Sequence, residues 1–343
     1  MKALVLTACN QFSVEEVPIP EYGSDDILVR VKACAICGSD VHGMDGSTGR
    51  RIPPIIMGHE ASGTIEKVGG SVEDFKAGDR VTFDSTVYCG RCHFCRRGEV
   101  NLCDNRRVLG VSCGDYRLEG AFAEYVAVPR HIVYPLPEEV SFEQAAMVEP
   151  LSIAFHAIRR SPVSLNNTAV VVGSGMIGLL IIQLLKAVGC GRVIAVDIMP
   201  QKLEMAKKFG ADIAVNSNET DAAAEIHKLT GNRGADIAFE VVGISSALNT
   251  AVASLKKGGS LTLVGNLKAT VDFPLQSVVT RQISIYGTCA SALEYGDCLD
   301  LIRSGSVDVE SFISAAVPLS EGPAWFNRLY AGEPGLMKVI LQP

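Results

Sequence analysis

Val170-Val-Val-Gly-Ser-Gly-Met-Ile-Gly178 decides the fold of this chain. Its glycines, Gly173, Gly175 and Gly178, stand in GxGxxG spacing directly after an apolar run and at the start of a helix-patterned segment. In a strand–turn–helix unit the first glycine permits the tight turn, the second lets the backbone approach a pyrophosphate and the third lets helix and strand pack closely. The helix N-terminus adds amide donors and the positive end of a dipole. The next β-branched run, Arg192-Val-Ile-Ala-Val-Asp197, ends in an acid about twenty residues beyond the glycines. A carboxylate there can accept hydrogen bonds from the ribose 2′- and 3′-hydroxyls and repels a 2′-phosphate, so NAD is the expected cofactor. Lys202, further along, can touch the same ribose or stand in solvent as an ordinary helix lysine.

Outward from this segment the texture repeats. Continuous β-branched runs at 169–172, 193–196, 237–242 and 260–264 alternate with helix-patterned segments at 177–188, closed by Gly189, and 200–209, opened by Pro200 and closed by Gly210. Strands spaced this way build a parallel α/β sheet, so 151–285 is expected to be an NAD-binding domain. Residues 1–150 instead show short alternating runs, such as 27–33 and 123–128, broken by Gly, Pro and Asp, and read as β-rich. After 285 the nucleotide-binding pattern stops, and Met337-Lys-Val-Ile-Leu341 reads as a strand that rejoins the first domain; 1–150 and 286–343 thus form one unit.

Two domains suit 343 residues, more than one core usually organises. A net charge of −7, with no lysine or arginine run longer than two, argues against nucleic acid and against a polybasic membrane surface. The longest apolar stretch, 177–185, is about half a membrane span and contains Gln183. A small-molecule partner is expected. Residues 1–18 read as a first strand, and 11 cysteines without an export signal point to ligands and buried thiols in a reducing cytoplasm.

Cys89, Cys92, Cys95 and Cys103 put four thiols within one short loop-like stretch that also holds His93. Thiolates at this spacing can close a tetrahedron around zinc and leave no open position, which describes a structural site. A second set is dispersed: Cys37 at a strand end, His59 and Glu60 after Pro-Pro-Ile-Ile-Met-Gly, and Glu149 before Pro150. Singly such residues are ordinarily core, cap or surface. Together they can supply the three ligands and one exchangeable position of a catalytic zinc.

On these residues the chain resembles the zinc-containing medium-chain dehydrogenase/reductases over essentially its whole length. Gly58-His-Glu-Ala-Ser-Gly63 with Gly69 and Val72 looks like the family signature, and Cys37-Gly-Ser-Asp-Val-His42, the cysteine lobe and Gly173–Gly178 follow in the family's order. The resemblance implies a GroES-like β-rich catalytic domain and a doubly wound Rossmann domain. It implies two zinc ions per chain, one catalytic and one structural, and a homodimer or homotetramer. By the same likeness Cys37, His59 and Glu149 hold the catalytic zinc, with Glu60 an alternating ligand or neighbour. Ser39 and His42 form the proton relay, and Met176, Ile177, Val242, Gly243 and Gly265 line the coenzyme site beside the glycines.

Classical alcohol dehydrogenases carry cysteine at the third zinc position; Val148-Glu-Pro-Leu151 resembles instead the sorbitol, threonine and sugar-phosphate polyol dehydrogenases. Gly287-Thr-Cys-Ala290 lacks the pocket arginine usual in sorbitol dehydrogenases. The expected reaction is oxidation of a secondary alcohol to a ketone, with zinc as Lewis acid and hydride passing to NAD. Alternatives are a threonine or simple secondary-alcohol dehydrogenase, a zinc-free NADPH reductase of the same fold, and a non-enzymatic NAD sensor. Arg50-Arg51, just before the Gly58–His59 turn, can clamp a substrate phosphate or form a solvated surface.

Overall fold

The structure, a computed structural model, describes residues 1–113 and 116–343. The chain divides into two compact units, Met1–Glu149 with Ala292–Pro343, and Pro150–Ser291.

In the second unit Thr168–Val172 is the sheet's centre, because its run of valines buries both faces. It pairs in parallel with Arg192–Asp197 on one side and Ala235–Glu240 on the other. Ile213–Asn216 lies beyond the former, and Leu255–Leu263 then Ser284–Gly287 beyond the latter. Strand order thus reverses beside the glycine turn, the position at which doubly wound sheets bind nucleotides. Val170, Val172, Ile194, Val196 and Ala238 pack into one core, each such valine or isoleucine contributing about 1.5–3 kcal/mol on burial.

Helices Met176–Ala187 and Pro200–Lys208 stand where the apolar periodicity puts them. The run at 237–242 ends as a strand at Glu240, because the Glu240 carboxylate accepts the amides of Val242 and Gly243, both at 2.8 Å, and turns the chain. Ile213–Asn216 and Ser284–Gly287 are not legible in the sequence: both are edge strands of four residues, each too short for a pattern. Because Ser284–Gly287 is hydrogen-bonded to Leu255–Leu263, the chain leaves this unit at 291/292 and not at 286.

In the first unit the hub is Asp26–Ala35, whose alternating residues bury one face. Antiparallel to it run Glu60–Val68, Tyr125–Pro129 and the late strand Lys338–Gln342. Among the described residues these belong to a seven-stranded sheet, flanked by a three-stranded one built on Lys2–Ala8. No described helix is long and apolar enough to cross a membrane.

Asp84, 1 % exposed, receives the Thr86 amide at 2.8 Å on Oδ1 and nothing on Oδ2. Burial pushes its carboxyl up to about 7, against the Thr86 donor and aided by Glu294. A raised carboxyl favours folding fully only below the unfolded value, near 3.9, and that contribution is lost as pH rises through the folded one. Wild-type protein should therefore lose a few kcal/mol relative to Asp84→Asn between about pH 4 and pH 7. Denaturant titrations of both proteins across that window check it; parallel curves defeat it.

Candidate active site

Backbone register in the first unit gathers the reactive side chains. Asp26–Ala35 ends just before Cys37, which accepts the Ser39 amide at 3.4 Å and so caps helix Gly38–Val41. Ala35 pairs with both Glu60 and Ile340, so His59, Glu60 and Lys338 arrive at the end of that one strand. A capping box of Ser141 and Gln144 starts helix Phe142–Ala146, and the next helix, Val148–Arg159, carries Glu149 in its first turn.

Candidate ligand atoms of Cys37, His59 and Glu60 all lie within 4.8 Å of one another. Glu149 is outside this trio; its Oε1 accepts the Ser85 hydroxyl at 3.3 Å. It is near enough to feel the others: burial raises its carboxyl to about 7, Glu60 adds to the rise, and His59 and Lys338 oppose it. Burial, then the charge of Glu60, push the Cys37 thiol well up. Glu60 Oε2 accepts from Lys338 Nζ at 2.6 Å, both side chains buried, while its Oε1 has no partner. Burial alone would lower the Lys338 ammonium, but Glu60 and Cys37 outweigh it and its pKa is raised. A thiol, an imidazole and two carboxylates thus face one another with a single ammonium among them. A zinc dication fits this donor set, since it stabilises the thiolate and gives the unpartnered oxygen a bond.

Around the trio, His59 Nδ1 faces buried Asp40 Oδ2 at 3.5 Å, and Nε2 lies 3.5 Å from Ser39 Oγ. A carboxylate behind Nδ1 favours the proton there and leaves Nε2 as the donor to metal. Ser39 Oγ also reaches Cys37 Sγ at 3.3 Å, and His42 is exposed at the end of the short helix. Asp40, Ser85 and Lys338 went unread in the sequence. Asp40 sits inside the quoted Cys37–His42 motif, but Lys338 looks like any lysine opening an apolar strand. Of the pair Arg50-Arg51, for which the sequence allows a clamp or a solvated surface, Arg50 is exposed, whereas Arg51 is 4 % exposed and turned inward onto Asp40 at 2.8 Å.

In the second unit Gly175 caps helix Met176–Ala187, with open space where its side chain would be, and Met176 and Ile177 follow half-buried. A Cβ on Gly178 would meet the Gly173 carbonyl at 1.9 Å, so the turn closes only on glycine. Asp197 receives the amides of Ser174, Ile198 and Met199 at 2.8, 2.8 and 3.0 Å. A carboxylate has about four acceptor positions, so roughly one remains for a ribose hydroxyl, and its discrimination rests mainly on charge. Lys202 is half-buried on helix Pro200–Lys208, and Val242, Gly243 and Gly265 follow the carboxyl ends of their strands.

The cysteine lobe is compact. The sulfurs of Cys89, Cys92, Cys95 and Cys103 lie within 4.8 Å of one another, and all are free thiols. Zinc–sulfur bonds of about 2.3 Å in a tetrahedron set sulfurs roughly 3.8 Å apart, so the ion fits. Backbone donors at Arg91 and Cys92 lower the Cys89 thiol to about 6, and those at Cys95 and Asp104 lower Cys92.

Family models for an alcohol dehydrogenase GroES-like domain and for a zinc-binding dehydrogenase match residues 23–138 and 177–304. The chain is 35% identical to sorbitol dehydrogenase of Bacillus subtilis (strain 168), over 100% of its length and 97% of that protein. Galactitol-1-phosphate dehydrogenase from Escherichia coli matches it with a TM-score of 0.92 at 28% identity, covering 100% of both chains. A protein from E. coli CFT073 described as a short chain alcohol dehydrogenase, complexed with cofactor NADH, matches with a TM-score of 0.92 at 30% identity, covering 100% of this chain and 99% of that one.

Proposed function

Because this chain belongs to the zinc-dependent medium-chain dehydrogenase/reductase family, in its polyol dehydrogenase branch, we propose that its substrate is an unphosphorylated polyol or sugar alcohol, oxidised at a secondary hydroxyl that has a hydroxyl neighbour. The protein is an oxidoreductase that takes secondary alcohols to ketones, with zinc and a nicotinamide dinucleotide as cofactors. What carries the substrate class is the pair of carboxylates, Glu60 and Glu149, set around Cys37 and His59. Zinc held by Cys37, His59 and these carboxylates would supply Lewis-acid polarisation of the substrate hydroxyl, and carboxylate oxygens among its ligands would suit a substrate with two neighbouring hydroxyls. Ser39 takes the hydroxyl proton and His42, exposed at the end of the short helix, passes it to solvent. Inward-facing Arg51 removes half of a phosphate clamp, which favours the unphosphorylated substrate. Asp197 favours NAD over NADP, because a phosphate dianion beside it costs several kcal/mol.

One assay matrix tests these points: vicinal diols and ethanol, each with NAD and with NADP. The best diol should exceed ethanol in kcat/KM by at least about tenfold, or ~1.4 kcal/mol, and NAD should exceed NADP roughly a hundredfold. Ethanol equal to the best diol sinks the polyol assignment; equal use of NADP sinks the role of Asp197.

We place the protein in reducing cytoplasm, on the free state of its described cysteines. We also propose self-association into a dimer or tetramer. Ser284–Gly287 is an open sheet edge, and Phe273, Leu275 and Val279 nearby in the chain are 44%, 63% and 68% exposed. Sedimentation should show no monomer at micromolar concentration; a monomer there ends this proposal.

A further inference from the structure

Arg51 is the one buried arginine among the described residues, and its contacts with Asp40 and Ser39 lead toward the Cys37–His59 pair. Its Nε and Nη2 donate to the same oxygen, Asp40 Oδ1, at 3.1 and 2.8 Å. Both forks on one oxygen leave Oδ2 alone, and that atom is the one facing His59 Nδ1 at 3.5 Å. The guanidinium therefore stops the carboxylate from rotating and points it at the imidazole. The same Nη2 donates to Ser39 Oγ at 3.3 Å. Arginine has no acceptor and does not deprotonate in proteins, so Ser39 can only accept on that side. Its own hydrogen is left to point at Cys37 Sγ or His59 Nε2, into the site. Nη1 is tied to the Arg50 carbonyl at 3.3 Å, which anchors the fork from behind. A slot exists for this side chain: a Cβ on Gly43 would stand 2.7 Å from Arg51 Cγ and 2.8 Å from the Ser39 carbonyl.

We propose that Arg51 is a positioning residue that orients His59 through Asp40 and fixes the direction of the Ser39 hydroxyl for proton transfer. The part concerning Ser39 rests on the function proposed above; the part concerning His59 rests on geometry alone. Neutralising Asp40 needs only a positive charge, which lysine supplies. Holding Asp40 and Ser39 in one plane needs the fork, which lysine lacks.

Arg51→Lys and Gly43→Ala therefore separate positioning from charge pairing. Three quantities are measured on each: kcat and KM with the best diol, release of zinc from each site to a chelator, and thermal midpoint. Arg51→Lys should lower kcat at least about tenfold with KM for NAD unchanged, and release the ion held by Cys37 and His59 roughly 10–100-fold more readily while the cysteine lobe keeps its own. Wild-type kcat and wild-type zinc retention in Arg51→Lys, whatever the midpoint, would make Arg51 a charge partner only and overturn the proposal. If Arg51→Lys does not fold, Gly43→Ala decides, since it keeps the guanidinium and displaces it; unchanged kcat and zinc retention there is equally fatal. Wild-type protein without diol activity defeats the proposed function instead, and the zinc-release comparison still tests the orientation of His59.

Discussion

Glu149→Ala is expected to reduce turnover by about 10³-fold, close to 4 kcal/mol of transition-state stabilisation, while binding NAD as the wild type does. Glu149 stands in the first turn of Val148–Arg159, in the first unit, whereas Gly173–Gly178 belongs to the second, so the cofactor contacts are untouched. The comparison with Glu60→Ala is informative because the two acids differ in what they leave behind. Losing Glu60 strands the buried Lys338 ammonium, a defect that costs about 3–5 kcal/mol in folding. Losing Glu149 removes a carboxyl that burial has already raised to about 7 and that leans on a serine hydroxyl, so the fold should tolerate it better. Zinc must be measured on the same samples. Glu149→Ala with two zinc ions and near-normal turnover would make Glu149 a helix-start residue and leave Glu60 as the carboxylate that matters.

The second large effect concerns the cysteine lobe. Cys95→Ser should bind one zinc per chain in place of two and melt roughly 10 °C or more below wild type, because structural zinc contributes folding free energy directly. Of its short 3₁₀ turns, Cys95–Arg97 buries no residue and Val100–Leu102 buries only Val100 and Asn101, so the lobe has little core of its own and the ion is its main constraint. At low temperature the residual activity should exceed that of Glu149→Ala, since Cys37 and His59 are left in place. Calorimetry with metal analysis checks this; an unchanged midpoint with two zinc ions removes the structural role.

What could be read from sequence was what is local. The glycine turn and the four cysteines each lie within a short stretch whose spacing already expresses the geometry the chemistry needs. The catalytic cluster is different, because it depends on strand register: Ala35 against Glu60, and Ile340 against Ala35. No window of sequence encodes that pairing, which is why Lys338, far along the chain from Cys37, went unseen. Arg51 failed for a related reason. Beside Arg50 it looks like surface, and only the burial of Asp40 pulls it inward. Edge strands such as Ile213–Asn216 are shorter and less buried than the central ones, since only one side of them is paired, and three apolar residues are too few to mark a strand.

The strand Lys338–Gln342 closes on Asp26–Ala35 and delivers the cation that balances Glu60. During synthesis on the ribosome the cysteine lobe can capture its ion as soon as Cys103 has emerged, because all four of its sulfurs are then available. The reactive centre has to wait until residue 338 has been translated and threaded beside Asp26–Ala35. The lobe is thus able to take its ion first, and the Cys37–His59 centre only after Lys338 has followed. A chain cut short before Lys338 would carry all four sulfurs of the lobe but lack the cation that balances Glu60.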